Sequence, residues 1–258
     1  MDKKKLIEII EGIAPPELAE PWDNCGLQVN VGKNDIKKIL IALEITNDVV
    51  EEAITGNADI IITHHPLIFG SLKCVDDNNV IGNYICKLIQ NNISVYSCHT
   101  NFDKVDGGNN DYIAQILELS QIRHFSNNRN DFCRIGILPK EMTFIDFIKF
   151  AAKALNCDTS QFKAVGDLNK RISLVGVCTG SGAEFWEDAK DEGCDVFVTG
   201  DIKYHQGQIM REQQFCVLDC GHYHTEKIFN ENFFSLISQK LTDVDIILSD
   251  EDINPFII

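Results

Sequence analysis

The amino-acid sequence predicts an α/β fold made of two similar units, and two observations carry this prediction. First, apolar runs typical of buried strands alternate with segments of helical periodicity along most of the 258 residues. This alternation is typical of parallel sheets with helical crossovers. Second, the later half of the chain repeats strand motifs of the earlier half in the same order. We therefore predict two α/β units with equivalent strands.

Each predicted strand except the last is followed by a predicted helix. Strands are predicted at residues 38–43, 59–63, 93–97, 134–138, 172–177 and 195–199, and helices at 47–54, 81–90, 109–119, 144–155 and 184–192. Apolar periodicity disappears in a polar stretch, which makes residues 125–131 the predicted linker. The predicted units are then residues 1–124 and 132–221, and we expect residues 222–258 to pack back on the first.

The internal repeat rests on three ungapped alignments. Residues 37–46 match 170–179, residues 56–63 match 192–199, and residues 95–98 match 217–220. Chance is the alternative, because any two buried strands favour Val and Ile. Three matches in one order favour duplication. The ends of equivalent strands are then expected to face a common cleft.

Composition excludes some functions and compartments. A formal charge of −16 opposes general nucleic-acid binding, which depends on Lys and Arg, although a small anionic substrate is compatible with bound metal cations. Acidic residues interrupt the apolar start of the chain, and no apolar run approaches the roughly 20 residues of a membrane span. The ten cysteines include no Cys-x-x-Cys pair. We expect a cytoplasmic protein with reduced thiols and no membrane association.

Histidines and carboxylates cluster after predicted strands. His64 and His65 end the strand at 59–63, His99 follows the strand at 93–97, and His222 and Glu226 lie four residues apart near a predicted helix start. A lone histidine is usually structural, and an isolated His-x-x-x-Glu is usually a surface pair, but joint placement at strand ends favours a metal site. These donors suit Zn, Fe, Mn or Co ions, and the lack of cysteine argues against a purely structural zinc site.

Two ions fit this set better than one, because a single ion seldom needs so many side chains. Adjacent histidines diverge in an extended chain, so His64 and His65 can each bind a different ion. Paired ions in such sites generate a nucleophile from water and stabilise an oxyanion.

The motifs resemble those of the Nif-three-like family, whose bacterial members are commonly labelled GTP cyclohydrolase I type 2. The similar segments span nearly the whole chain and are residues 22–29 (WDNCGLQV), 63–67 (THHPL), 97–103 (SCHTNFD), 199–201 (TGD) and 221–226 (GHYHTE). The resemblance implies two similar α/β units with a dinuclear metal site in the cleft between them. It also implies a toroidal homohexamer, in the compact form without an inserted domain. The metal ligands that it implies are His64, His65, Asp103, His222 and Glu226.

Three further residues are candidates for catalysis. His99, four residues before Asp103, is a candidate proton-transfer group or a partner that orients a ligand. The alternative is a structural histidine at a strand end. Asp201 and His205 occupy the repeated counterpart of the His64-His65 turn, where the alternative is that they line the cleft without binding metal.

The function predicted from these residues is metal-dependent hydrolysis. The substrate, a small nucleotide-like or phosphorylated molecule, is implied by the resemblance alone, as is ring opening of GTP. Residues 180–183 (GSGA) are a candidate phosphate-binding turn, or only a tight strand-to-helix connection. The alternative function is a non-catalytic metal-binding or protein-interaction ring. A nucleic-acid clamp is the third alternative, which the acidic charge opposes.

Overall fold

The structure, a computed structural model, describes residues 1–126 and 131–256. The chain divides into two compact units. Unit 1 comprises Met1–Val105 and Phe229–Ile258, and unit 2 comprises Asp106–Ile228. Every helix formed by the described residues is too short or too polar to cross a lipid bilayer.

The described residues form strands and helices in alternation. The strands are β1 (Gly26–Val29), β2 (Lys38–Ala42), β3 (Ile60–Thr63), β4 (Ser94–Ser97), β5 (Ser120–His124), β6 (Arg134–Thr143), β7 (Lys163–Val165), β8 (Arg171–Val177), β9 (Val196–Thr199), β10 (Cys216–Asp219) and β11 (Asp245–Leu248). The helices are α1 (Lys3–Glu11), α2 (Asn47–Thr55), α3 (Val80–Gln90), α4 (Thr100–Lys104), α5 (Asn109–Ile116), α6 (Phe144–Ala154), α7 (Trp186–Asp191), α8 (Tyr204–Glu212), α9 (His222–Glu226) and α10 (Phe229–Ser238).

Unit 1 is built on a sheet with the strand order β1-β4-β3-β2-β11. Strands β4, β3, β2 and β11 are parallel, and β1 pairs antiparallel with β4. All four residues of β3 are buried, as expected for a β-branched run inside a parallel sheet. Helix α2 begins where the Thr46 hydroxyl accepts a hydrogen bond from the Val49 amide at 3.2 Å, and it covers the sheet through Val49 and Ala53.

Unit 2 contains a second sheet with the order β5-β6-β8-β9-β10-β7. Strands β8, β9 and β10 are parallel, whereas β5, β6 and β7 join by antiparallel pairing. Successive residues of β9 enter different core clusters: Val196 and Val198 pack with Phe147 of α6, and Phe197 packs with Trp186 of α7. Both faces of this sheet are therefore buried.

The predicted α/β class is correct, and the predicted parallel strands form the centre of each sheet, to which antiparallel strands are added. The antiparallel strands β1, β5 and β7 lie at sheet edges and contain partly exposed residues, so they lack the continuous apolar runs that indicate buried strands. The helix predicted at 109–119 is also shorter in the structure, because Glu118 adopts a left-handed φ of 55° and the chain turns into β5.

The polar segment at 125–131 does not separate the two units. It connects β5 to β6, which pair with each other in the sheet of unit 2. Residues 127–130 of this segment lie outside the described residues. Helix α5 also belongs to unit 2, because Ile113 and Leu117 pack into the same core as Phe147. The chain therefore passes from unit 1 to unit 2 at Val105 and returns at Phe229.

In each unit, an aspartate just before a central strand accepts hydrogen bonds from backbone amides of the neighbouring strand. Asp59 precedes β3, and its carboxylate accepts hydrogen bonds from the amides of Lys37 (2.6 Å) and Lys38 (3.0 Å) at the start of β2. Asp195 precedes β9, and its carboxylate accepts from the amides of Ser173 and Leu174 in β8, both at 2.9 Å. The two aligned aspartates thus make the same kind of contact.

Candidate metal centre

The turn after β3 holds His64 and His65 by their backbones. Both amides donate to the carbonyl of Leu43, at 3.1 Å for His64 and 2.9 Å for His65. The buried Thr63 hydroxyl donates to the carbonyl of His65 at 2.9 Å. Since β3 and β4 pair in parallel with Thr63 opposite Ser97, the residues after both strands meet at one edge of the sheet.

The imidazole of His64 has a defined orientation. Its ring is fully buried, and Nδ1 lies 2.8 Å from the backbone carbonyl of Cys98. A carbonyl only accepts hydrogen bonds, so Nδ1 carries a proton, and in the neutral ring Nε2 keeps the lone pair. Nε2 lies 3.6 Å from Oδ1 of Asp103, a buried residue of α4. An imidazole nitrogen and a carboxylate therefore face one point, as in a metal site.

His99 joins the two adjacent histidines. One nitrogen of each of His64, His65 and His99 lies within 4.8 Å of the others. The ring of His99 is 5.2 Å from that of His64 and 5.6 Å from that of His65, measured between centroids. These spacings allow the three rings to surround a cation.

Asp23 orients His99. Its carboxylate accepts from Nδ1 of His99 at 2.9 Å and from the amide and hydroxyl of Thr100 at 3.1 Å and 2.5 Å. Burial favours the neutral acid, but these bonds and the Cys25 thiol outweigh it and hold the pKa of Asp23 well below its usual range. Burial and the adjacent Asp23 raise the pKa of Cys25 to about 12, so this residue donates as a thiol.

Two aromatic side chains lie beside His99. Trp22 is 59% exposed and Phe69 is 57% exposed, and their ring centroids are 5.9 Å apart. Both rings contact His99, at 6.3 Å for Trp22 and 6.1 Å for Phe69. Asn24 joins the two loops by donating to the carbonyl of Ile68 at 2.5 Å. Trp22 thus presents an open aromatic surface next to the histidines.

In unit 2, His222 lies between two carboxylates. It is the first residue of α9, and its Nδ1 lies 2.7 Å from Oδ2 of Asp201, which follows β9. Its Nε2 lies 2.8 Å from Oε2 of Glu226, one helical turn later. Glu226 is only 3% exposed, whereas Asp201 is exposed. His222 and Glu226 therefore face one point, as their spacing predicts, and Asp201 orients the imidazole from the other side.

Two glycines make room for this pair, and sequence reasoning did not assign them this role. A Cβ on Gly180, whose φ is +62°, would lie 2.0 Å from Oε1 of Glu226. A Cβ on Gly200 would lie 2.7 Å from the amide nitrogen of His222. The signal in the sequence is that each glycine follows a threonine at or just after the end of a strand, in Thr179-Gly180 and Thr199-Gly200.

Two backbone amides of the turn at residues 180–183 donate hydrogen bonds to side chains of the same unit. The Gly180 amide donates to the Thr225 hydroxyl at 2.9 Å, and the Gly182 amide donates to the Thr199 hydroxyl at 3.0 Å. These bonds fit the tight strand-to-helix connection better than the phosphate-binding turn.

The third catalytic candidate lies apart from this pair. His205 is exposed in the first turn of α8, with its ring 5.4 Å from that of Tyr204. Among the described residues, it makes no hydrogen bond or ion pair with Asp201 or His222. The structure thus joins Asp201 to His222 but does not join His205 to either.

These residues fit divalent metal ions. His64 and His222 each bind an acceptor through Nδ1, which leaves Nε2 directed towards a carboxylate. Metal-binding histidines usually show this arrangement, because the outer hydrogen bond fixes the ring and its tautomer. Nitrogen and oxygen donors without thiolates suit Zn²⁺, Mn²⁺, Fe²⁺ or Co²⁺.

Comparison with known proteins agrees with the sequence motifs. The family described as Duf34/NIF3 (NGG1p interacting factor 3) matches residues 1–255. The chain belongs to the DUF34/NIF3 family. A Clostridium perfringens relative named GTP cyclohydrolase 1 type 2 homolog is 36% identical over 261 residues, which are 99% of each chain. A Helicobacter pylori relative named GTP cyclohydrolase 1 type 2 is 36% identical over 227 residues, covering 88% of this chain and 87% of the relative.

Solved structures share the fold. A Staphylococcus aureus hypothetical protein, 27% identical, covers 100% of this chain and 99% of its own with a TM-score of 0.93. Reduced HcgD from Methanocaldococcus jannaschii is 30% identical, with a TM-score of 0.81, and the match covers 97% of this chain and 98% of that one. The family resemblance inferred from the motifs is confirmed.

Proposed function

We propose that this DUF34/NIF3 protein is a dinuclear metal-dependent hydrolase of a small nucleotide-like or phosphorylated substrate. The proposed ligands are His64, His65 and Asp103 of unit 1 and His222 and Glu226 of unit 2. The carrying observation is that, in each unit, a histidine with its Nδ1 bound to an acceptor directs Nε2 towards a buried carboxylate. Two bound ions would supply a nucleophile from water and stabilise negative charge in the transition state.

His99 is the proposed proton acceptor. The ionised Asp23 carboxylate accepts from Nδ1 of His99, so Nε2 carries the lone pair and is the basic nitrogen. This pairing fixes the tautomer and stabilises the imidazolium that forms after proton transfer. Since His99 also contacts His64 and His65, it lies beside the proposed ligands. Ligation of a metal by His99 is the competing role.

The substrate class has two supports. Relatives carry the name GTP cyclohydrolase 1 type 2 or its homolog, which favours a nucleotide. The exposed rings of Trp22 and Phe69 beside His99 offer apolar faces suited to a planar ring. Both features favour a heteroaromatic substrate over a simple phosphoester.

We further propose that the two units arose by duplication. Three alignments in the same order support this origin. So does the topology, because β2-β3-β4 and β8-β9-β10 are parallel runs, each with an antiparallel strand, β1 or β7, beside the third. The equivalent contacts of Asp59 and Asp195 at the starts of β3 and β9 are a third support.

Metal content tests the ligand set. The metal bound by the full chain is measured by mass spectrometry for wild type, His65→Ala and Glu226→Ala. The control variants are His124→Ala, which removes a histidine bound to Asp106, and Glu141→Ala, which removes an exposed glutamate bound to Arg171. We expect both ligand variants to lose most metal and both controls to retain it. Full occupancy in the ligand variants would contradict the assignment.

Turnover tests the enzymatic part separately. Metal-loaded wild type is incubated with nucleoside triphosphates and phosphoesters, alongside Glu226→Ala and His99→Gln. We expect His99→Gln to retain its metal and to have a lower kcat than the wild type. The pH–rate profile of this variant should lack the limb that reports ionisation of the base. Loss of metal in this variant would instead assign His99 as a ligand. Equal turnover by wild type and metal-free Glu226→Ala would contradict the hydrolase proposal. The protein would then be a metal-binding protein without this activity.

A further inference from the structure

Unit 2 contains a cavity of about 890 Å³ between the edge strand β7 and helix α8. Its walls come from β7, the turn at residues 166–170, residues 202–203 and the exposed side of α8. None of its lining residues is one of the proposed metal ligands. The cavity is therefore a feature separate from the candidate metal centre.

The lining is basic, in contrast to the chain as a whole. It includes four basic side chains and one acidic side chain, although the protein carries a net charge of −16. The basic residues are Lys163 of β7, Lys170, Lys203 and Arg211 of α8. Such a local excess of positive charge needs an explanation other than overall composition, and binding of an anion provides one.

Two of these cations make neither an ion pair nor a side-chain hydrogen bond with any residue that the structure describes. Lys163 pairs with Asp219 at 3.5 Å, and Lys170 donates to the carbonyl of Asp195 at 2.8 Å. Lys203 and Arg211, by contrast, make no ion pair with any residue that the structure describes. They are exposed at the cavity, so their charges are available to a ligand.

The spacing along α8 brings these two cations to one side. Gly207 and Arg211 lie four residues apart in α8, and Lys203 is the residue before its first turn; all three line the cavity. A Cβ on Gly207 would make only ordinary contacts, 3.6 Å from Val165 and 3.8 Å from Ile202, so packing does not require glycine there. The missing side chain leaves open space between Lys203 and Arg211.

An aromatic ring stands next to these residues. Tyr204 is 74% exposed, and its hydroxyl accepts from the side-chain amide of Gln208 at 3.1 Å. Exposure of so large an aromatic surface beside cations suits a ligand that combines a planar ring with negative charge. Nucleotides combine these two properties.

We propose that the cavity between β7 and α8 binds a nucleoside polyphosphate. Lys203 and Arg211 bind the phosphates, with Lys163 and Lys170 adding positive charge, and Tyr204 stacks on the base. Arginine offers several donors to phosphate oxygens, and lysine acts as a compact charge, so both types suit this role. The site is independent of the hydrolase proposal, because it uses none of its residues.

Calorimetric titration with ATP tests the phosphate contacts. The full chain is used as purified and again after chelation, because a metal-bound phosphate would otherwise mimic this site. The double variant Lys203→Ala, Arg211→Ala is compared with Lys140→Ala, Lys153→Ala, which removes the same charge from exposed positions outside the cavity. We expect at least about tenfold weaker binding for the cavity variant and no change for the control.

Titration with inorganic triphosphate separates the ring contact from the charge contact. We expect Tyr204→Ala to weaken ATP binding about tenfold while triphosphate binding stays unchanged, and Tyr204→Phe to behave as wild type. Three results would overturn the proposal: no ATP binding by wild type, equal loss in both double variants, or binding that disappears with the metal. Circular dichroism of each variant checks that it is folded.

Discussion

At the scale of single residues, the contact between Asp201 and His222 accounts for the orientation of the His222 imidazole in the candidate centre. Asp201 follows β9 and adopts a left-handed φ of 57°, which directs its exposed carboxylate to Nδ1 of His222. Aspartate and asparagine tolerate this backbone region better than most residues, because their side chains form local hydrogen bonds. Asp201 is a catalytic candidate from the sequence, and from its contact with His222 we propose that it positions this proposed ligand.

Substitution of Asp201 tests this role. We expect Asp201→Asn to weaken metal binding roughly tenfold, because the amide still accepts from His222 but lacks the charge that increases imidazole basicity. Asp201→Ala should weaken metal binding by up to about a hundredfold, because no acceptor remains for Nδ1 of His222. Metal titration of chelated protein gives both values. Unchanged affinity in the alanine variant would show that His222 needs no orienting partner.

At the scale of secondary-structure elements, aspartates just before β3 and β9 connect neighbouring strands. Asp59 is 3% exposed, accepts two backbone amides from β2 and pairs with Lys33. Its burial raises the pKa, but the hydrogen bonds of Lys33 and of the Lys37 and Lys38 amides outweigh this effect and lower it overall. The folded state therefore binds a proton less readily at Asp59 than the unfolded chain does.

Loss of either strand-connecting aspartate should destabilise the protein. We expect Asp59→Ala to lower the free energy of unfolding by about 2 kcal/mol or more, because two amides at the start of β2 lose their acceptor. Asp195→Ala should have an effect of the same sign, through the amides of β8. Urea denaturation measures both, with Asp243→Ala as an exposed control. A neutral result at both sites would show that water replaces the carboxylate.

The lowered pKa of Asp59 predicts a pH dependence. Its ionised form stabilises the folded state above the unfolded-state pKa of about 3.9, and this contribution is lost as the pH falls through the lower folded-state pKa. The stability difference between wild type and Asp59→Asn should therefore be constant above about pH 5 and shrink below about pH 4. Urea denaturation at several pH values measures this difference. A difference that grows on acidification would contradict the lowered pKa.

Helix α8 offers a second element-scale prediction. Glycine inside a helix costs conformational entropy, and Gly207 has space for a methyl group. We expect Gly207→Ala to raise the free energy of unfolding by about 0.5 to 1 kcal/mol. Thermal denaturation checks the sign. A destabilised variant would show that the approach of Val165 in β7 requires glycine at this position.

At the scale of the whole molecule, the proposed ligands come from two units. Unit 1 is made of two separate stretches of the chain, and unit 2 is the stretch between them. The chain leaves unit 1 after Val105 and returns to it at Phe229, and α10 and β11 then complete this unit. Strand β11 pairs in parallel with β2, more than 190 residues earlier, with Ile247 opposite Leu40. Unit 1 is therefore completed only by the last part of the chain.

Metal binding should stabilise the whole chain. A ligand that binds only the folded state stabilises it by about 2.7 kcal/mol at a hundred times its dissociation constant. Addition of Zn²⁺ or Mn²⁺ to chelated protein should therefore raise the midpoint of thermal denaturation. His65→Ala and Glu226→Ala should each abolish the increase, although they belong to different units, and His124→Ala should retain it. An increase that survives in one ligand variant would show separate sites.

Much of this structure was predictable because its signals are local. The run Ile60-Ile61-Ile62-Thr63 indicates a buried strand by composition alone, and β3 comprises these four residues. The four-residue interval of His222 and Glu226 predicts that both face one point, and they do within α9. Edge strands such as β7 were missed, because they are short and partly exposed and their pairing depends on residues far away in the chain.

By itself, the sequence determined the alternation of buried strands and helices, the family and the chemical type of the donors at the strand ends. The alternation depends on composition and on periodicity over a few residues, and the family and the donor types depend on short sequence motifs. Only the tertiary structure decided that Asp23 orients His99 across 76 residues, that Cys98 fixes the tautomer of His64, and that β11 returns to unit 1. Such contacts follow from the closure of the whole chain around its cores, which no local pattern specifies.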